Sequence, residues 1–141
     1  MNRAVDFSDV KRAASNSAVS STITGLEVDG HGYGRARFIF TFGLPLANGS
    51  LVSAGIWVAG GTAGAATTYS SVASAQLTAR SSLAVSNQVA VIDMAIPVGS
   101  RWLQVSGAMA TSNVPFDAIV ELYQPINIPV TNSALETVTV N

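Results

Sequence analysis

The sequence predicts an all-β protein: an antiparallel β-sandwich or jelly-roll-like single domain with extended N- and C-terminal segments. Hydrophobic and polar residues alternate over short stretches, which is the period of a strand with one buried face. Clusters of Gly, Pro, Asn and Ser separate these stretches, and no helical period runs for a useful length. With 141 residues, the chain has the size of one domain with its own core.

The clearest strand covers residues 35–42. Its even-numbered residues, three of them phenylalanine, share one face, whereas Arg35 and Arg37 lie on the other. Asn48-Gly49 follows it and is typical of a tight turn. Similar strands are predicted near residues 19–28, 51–59, 67–78, 88–96, 101–106 and 118–123.

Seven or eight short strands of this kind are typical of a sandwich or jelly roll. We therefore divide the chain into an N-terminal arm (residues 1–18), a β-sandwich domain (19–125) and an extended C-terminal tail (126–141). The chain has fifteen charged residues, seven basic and eight acidic, and five of the fifteen lie in the first twelve positions. Asp9 is one of them and could cap a short helical turn. A frayed terminus is equally compatible, as is an arm ordered by a neighbouring subunit. The tail is compatible with an edge strand or with a strand added to a neighbour.

Charged residues make up only 11% of the chain, against about 25% in a typical domain. The formal net charge is −1, so the surface lacks the charge that usually keeps a small monomer soluble. A surface so poor in charge is tolerable when neighbouring subunits cover it. The composition therefore predicts an assembly.

Several function classes are disfavoured by the same composition. Basic and acidic residues nearly balance, so a basic face for nucleic acid is not expected. No run of about 18 apolar residues predicts a membrane span, and the N-terminus lacks a secretory signal. The absence of cysteine excludes disulfides, thiolate chemistry and Cys-based metal centres.

Catalytic patterns are also missing. His31 is the only histidine and lies among glycines, with no set of ligands or triad partners at a suitable spacing. Glu27 and Asp29 could form a carboxylate pair, but a solvated loop pair is the preferred interpretation. Asp93 is expected on the solvent face of its strand, because it shares parity with two valines, although pairing with Arg80 or Arg101 is an alternative. We predict no enzyme activity, no cofactor and no metal.

Arginine forks bind carboxylates well, so Arg35 and Arg37 could dock an acidic partner, although a solvated strand face is equally compatible. The residues that we expect at interfaces are Arg3, Lys11, Arg12, Arg35, Arg37, Ile126, Ile128 and Val130. The large aromatic residues are expected in the core, namely Trp57, Trp102, Phe38, Phe40, Phe42 and Phe116.

The order of these pieces resembles that of small structural proteins of tailed bacteriophages. The stretches that carry the resemblance, which spans residues 20–125, are 49–60, 67–79, 99–105 and 118–124. It implies a virion protein on the capsid surface, a decoration or cement protein that binds the major capsid protein or its own copies, commonly as a homotrimer. A head–tail connector or tail-tube subunit is a neighbouring alternative. A carbohydrate-binding or adhesin module is an alternative from another class, and it predicts surface aromatic residues, for example Tyr33, Tyr69 or Trp57, lined up in a groove.

Overall fold

The computed structural model describes residues 8–16, 22–43, 50–60, 69–77, 80–81, 88–110 and 115–126. These residues form ten β-strands and no helix. The strands are β1 (Asp9–Asn16), β2 (Thr22–Thr24), β3 (Val28–Asp29), β4 (Tyr33–Phe42), β5 (Ser50–Ala59), β6 (Ser70–Leu77), β7 (Arg80–Ser81), β8 (Val89–Ala95), β9 (Trp102–Ala110) and β10 (Phe116–Pro125).

The strands pair antiparallel in two sheets that face each other. One is four-stranded with the order β1-β10-β4-β8, and the other is six-stranded with the order β2-β9-β5-β6, where β3 also pairs with β9 and β7 with β5. If β2 and β3 are taken as one interrupted strand and the short β7 is set aside, eight strands remain. Their orders in the two sheets are then 1-8-3-6 and 2-7-4-5, which is the strand order of a jelly roll. The predicted fold class is confirmed.

The core lies between the two sheets. Alternate residues of the central strand β4 point inward, and Phe38 and Phe40 are fully buried. They meet Ile56 of β5 and Leu103 of β9, which the six-stranded sheet contributes. Trp102 and Phe42 are buried as expected, whereas Trp57 is only half-buried.

The N-terminal segment corrects one prediction. Residues 9–16 form neither a helical turn nor an arm separate from the sandwich, since β1 pairs with β10 as an edge strand of the four-stranded sheet. The residues of this segment are compatible with a helix by their local preferences. As a strand, however, the segment forms a ladder of backbone hydrogen bonds with the otherwise unpaired side of β10. Tertiary pairing therefore overrides local propensity.

A β-bulge in β1 ties the two sheets together. The register with β10 shifts between Arg12 and Ala14, so Ala13 is an extra residue and both alanines are buried. The carbonyl of Ala13 accepts a hydrogen bond of 2.8 Å from the N–H of Leu26. Gly25 permits this approach, since a Cβ there would lie 2.6 Å from the Ala13 oxygen.

The other predicted strands are confirmed, with β2 and β3 falling in the stretch 19–28. The glycine-rich segment at His31 forms the turn before β4, as expected. Arg3, the Asn48-Gly49 turn, Ile128 and Val130 lie outside the described residues, as does the tail beyond Ile126.

Candidate interaction surface

The outer face of the four-stranded sheet is the side that points away from the six-stranded sheet. The strand registers place its side chains in cross-strand rows. Those rows are Tyr123–Arg35–Ala95, Val10–Glu121–Arg37–Asp93, Arg12–Ile119–Ile39–Val91 and Asp117–Thr41–Val89. The two rows nearest Tyr123 are mostly polar, whereas Ile119, Ile39 and Val91 form an apolar stretch in the third row, with Val89 next to it.

The apolar row consists of Ile119, Ile39, Val91 and the adjacent Val89. Ile119 is 44% exposed, Val91 55% and Val89 62%, while Ile39 between them is half-buried. Among the described residues, seven large hydrophobic side chains are exposed, and four of them lie on this face, Val10 being the fourth. The side chains of the apolar row are neighbours on adjoining strands, so they form one exposed apolar patch on the outer face.

The ionic cluster lies beside the apolar row and consists of Arg35, Arg37, Asp93, Glu121 and Tyr123. Arg35 donates to one carboxylate oxygen of Asp93 through Nη2 at 2.7 Å and Nε at 3.2 Å. Arg37 donates to the other oxygen through Nη2 at 3.1 Å and Nε at 3.2 Å. Two guanidinium groups therefore hold the two oxygens of one carboxylate.

The remaining members of the ionic cluster complete its hydrogen bonds. The hydroxyl of Tyr123 donates to Asp93 and accepts a bond of 2.8 Å from Nε of Arg35. Arg37 lies over the Tyr123 ring at 5.2 Å from its centroid and reaches Glu121 at 3.5 Å. Two positive and two negative charges thus cancel within the chain.

Hydrogen bonding sets the protonation state of the cluster. The bond from Tyr123, followed by those from Arg35 and Arg37, lowers the pKa of Asp93 to about 2, although desolvation opposes the shift. The bonds to Asp93 raise the pKa of both arginines above its usual value. Asp93, Arg35 and Arg37 are therefore ionised at neutral pH.

The structure places the predicted interface residues in different settings. Asp93 lies on the solvent face as expected, and its partners are Arg35 and Arg37, whereas Arg101 pairs with Asp29. The side chain of Arg80 is among those that the structure does not describe. The forked contact expected with a partner's carboxylate is thus made inside the chain.

The other described interface candidates lie apart from the ionic cluster. Arg12 is exposed on the outer face and pairs with Asp117 at 3.3 Å. Lys11 is half-buried at the inner side of β1, where its ammonium contacts Asp9 at 3.1 Å and the Asp29 carbonyl at 3.4 Å. Ile126 is exposed at the end of β10.

A groove of about 300 Å³ opens at one end of the sandwich. Residues 30–34, residues 96–100 and Ile126 line it, and no acidic side chain is among them. His31 is exposed there, and its backbone N–H donates to Asp29 at 3.0 Å. The lining thus offers no carboxylate to orient a histidine as a base.

Glu27 and Asp29 have separate partners and do not form a carboxylate pair. Asp29 accepts two bonds from Arg101, at 2.7 and 3.0 Å, and the arginine lowers the pKa of Asp29. Glu27 accepts a bond of 2.8 Å from the hydroxyl of Tyr69, and burial together with this bond raises the pKa of Tyr69 to about 12. In the described part of the chain, no three His, Cys, Asp or Glu side chains are grouped to hold a metal.

The three aromatic residues named as examples for a carbohydrate-binding groove do not lie together on one exposed surface. Tyr33 is buried in the core, whereas Trp57 follows the buried Ile56 and points to the other side of the six-stranded sheet. Tyr69 is half-buried and bonded to Glu27. The three rings therefore do not line one surface.

No family model, no curated protein and no solved structure matches this chain. In the part of the chain that the structure describes, no helix is long and apolar enough to cross a membrane. The outer face therefore has to be interpreted from its own chemistry.

Proposed function

We propose that the chain is a bacteriophage virion structural protein, a capsid decoration (cement) protein that binds the capsid surface as an oligomer. The observation that carries the proposal is the outer face of the four-stranded sheet. There an exposed apolar row lies beside an ionic cluster whose charges already cancel. Protein interfaces combine an apolar centre with a polar rim, so an apolar row beside a paired ionic cluster suits contact with protein.

Three further features support this proposal. The jelly roll recurs in viral capsid proteins, although it also occurs in lectins and fold alone does not determine function. Charged residues are only 11% of the chain, which is compatible with a surface largely covered by neighbours. The order of the strand segments resembles that of small tailed-phage structural proteins.

The proposed mechanism is repeated shallow binding. The apolar row would pack against the major capsid protein, and oligomerisation, expected as a homotrimer, would place several such faces on one head. Linked contacts act through effective concentration, so a modest affinity for each site suffices. The paired arginines would stay bonded to Asp93 when the face is covered, which limits the cost of removing them from water.

Co-sedimentation with empty capsids of the virus that encodes the chain tests this function. The wild-type chain should pellet with capsids, and Ile119→Glu should weaken binding at least tenfold, because it places a charge in the middle of the apolar row. Ser74→Glu is the matched control, an exposed strand position on the other sheet, and should bind like wild type.

Thermal melting of both variants confirms that each one is folded. Light scattering of the wild-type chain tests the oligomer in the same experiment. A monomeric wild-type chain that does not pellet would contradict the proposal. Equal binding of Ile119→Glu and wild type would contradict the role of the apolar row.

A further inference from the structure

The edge strand β8 has backbone groups directed away from its sheet. In an antiparallel pair, alternate residues direct both their N–H and C=O groups toward the partner strand. The carbonyl of Gln88 accepts from the N–H of Phe42, and the N–H of Ile96 donates to the carbonyl of Gly34. Even-numbered residues of this strand therefore bond to β4. The groups of the odd-numbered residues, 89, 91, 93 and 95, face outward.

Apart from the charge of Asp93, β8 has few of the features that usually protect an edge strand. Natural sheets guard edge strands with lysine, proline, bulges or covering segments. β8 contains no lysine and no proline, and its register with β4 runs without a shift from Val89 to Ala95. Within the described ranges, no strand pairs with its outer side.

We infer that the β8 edge pairs with the β8 edge of a second copy, which joins two four-stranded sheets into one antiparallel sheet of eight strands. The inference rests on the proposed assembly role and adds to it a two-fold contact, which joins copies in pairs and is distinct from the contact that would form the proposed homotrimer. Full overlap of the seven-residue strand places Ile92 on the two-fold axis. In this register Val89 bonds to Ala95 of the second copy and Val91 to Asp93, so all four outward-facing residues are satisfied.

The charges of β8 suit a second copy. Asp93 is the only charged residue of the strand, and its carboxylate is already bonded to Arg35 and Arg37 of its own sheet. In the register centred on Ile92, each Asp93 lies opposite a valine and not opposite the other Asp93. The pairing also brings the exposed Val89 and Val91 of both copies together on the outer face.

Analytical ultracentrifugation over a range of concentrations, without capsids, tests the pairing. The wild-type chain should associate reversibly, and Val91→Lys should raise the dissociation constant of this contact at least tenfold. Val10→Lys is the matched control, an exposed valine on the same face but on the opposite edge strand. It should associate like wild type. Equal weakening by both variants, or a wild-type chain that never associates, would overturn the inference.

Backbone hydrogen exchange adds a signature specific to the edge. The amides of Val89, Val91, Asp93 and Ala95 should be protected only at concentrations where the chain associates, and those of Ala90, Ile92 and Met94 at all concentrations. Odd-numbered amides that exchange freely in the associated state would overturn the pairing. Protection of those amides in the monomer would show that the chain's own residues cover the edge, and would overturn it too.

Cross-linking tests the register, since the chain has no cysteine of its own. Ile92→Cys should form a disulfide-linked dimer under mild oxidation, because residues on the axis lie about 4.5 Å apart between Cα atoms. Met94→Cys should not, since the two copies of residue 94 are separated along the strands. The reverse result would overturn the Ile92 register. Because capsids are absent from these tests, a chain that pairs through β8 but does not bind capsids would contradict the decoration role alone.

Discussion

The two edges of the four-stranded sheet differ in how they are protected. β1 carries a bulge, a lysine and an arginine, and the Ala13 carbonyl in its bulge is bonded to Leu26 of the facing layer. β8 at the opposite edge is regular, lacks basic residues and exposes two valines. One edge is closed within the chain, whereas the other is suited to add a strand.

This difference shows that the few charged residues of the chain are distributed unevenly over the four-stranded sheet. The few charges of the sheet are placed where they close β1 or cancel one another around Asp93. Apart from Asp93, all side chains of β8 are uncharged. If selection had favoured only the solubility of a monomer, more charged side chains would be expected along β8.

The largest expected effect comes from breaking the closed edge. Gly25→Val would place a Cβ 2.6 Å from the Ala13 oxygen and 3.0 Å from Cβ of Val105, both of which are held by the sandwich. We expect the free energy of unfolding to fall by about 3 kcal/mol, as for overpacked cores. Urea denaturation measures the loss.

The open edge supplies the control for this prediction. Ala95→Val adds the same side chain at an exposed position of β8 and should change the free energy of unfolding by less than about 0.5 kcal/mol. If the two variants lost equal stability, the closure of β1 through Gly25 would be wrong.

A smaller effect is expected from removing the lysine of the closed edge. Lys11→Met deprives the Asp9 carboxylate, whose side chain is 3% exposed, of a cation at 3.1 Å. We expect a loss of about 2 kcal/mol, since removing a cation close to a buried carboxylate weakens the compensation for its desolvation. Arg12→Met, measured by the same urea denaturation, removes an ion pair with both side chains more than 60% exposed and should cost under about 0.5 kcal/mol.

Equal losses in these two neighbouring variants would contradict the view that Lys11 acts through a buried contact. A larger loss for Arg12→Met would instead indicate that the exposed pair with Asp117 holds β1 in place.

Most of the fold could be predicted because period-two patterns depend only on which face of a strand is buried. The strand 35–42 shows this, since its phenylalanines alternate with arginine, isoleucine and threonine. β1 could not be predicted in this way. Its bulge places Ala13 and Ala14 both in the core and breaks the alternation that identifies a strand.

The outer face was only partly predictable for a different reason. The alternation of buried and exposed residues predicted that Arg35, Arg37 and Asp93 lie on the solvent-facing sides of their strands. It could not predict that these strands are neighbours or that the three residues lie close together across them. Arg37 and Asp93 lie 56 residues apart in sequence and become direct neighbours only through the pairing of β4 with β8. The apolar row and Tyr123 were missed for the same reason. The available signals were the parity that Val89 and Val91 share with Asp93 and the parity that Ile39 shares with Arg37.

The smallest expected effect concerns the single charge of the open-edge strand. Asp93→Asn removes the anion between Arg35 and Arg37, and we expect the melting temperature at pH 7 to fall by about 2 °C, since exposed ion pairs contribute little. The pKa of Asp93 is about 2 in the folded chain, below the value of about 3.9 in an unfolded one. Folding therefore favours the ionised form.

The stabilisation from Asp93 is thus complete above about pH 5 and is lost as the pH falls through 4 and then through the folded pKa of about 2, toward about pH 1. Thermal melts of wild type and Asp93→Asn between pH 7 and about pH 1 should converge at the acid end. A difference that persisted at about pH 1 would mean that Asp93 acts through packing and not through its charge. Asp93→Asn could instead leave the melting temperature unchanged and weaken self-association. In that case the ionic cluster would contribute to the contact between two β8 strands more than to the stability of the fold, because its charge would matter only when a second β8 lies opposite it.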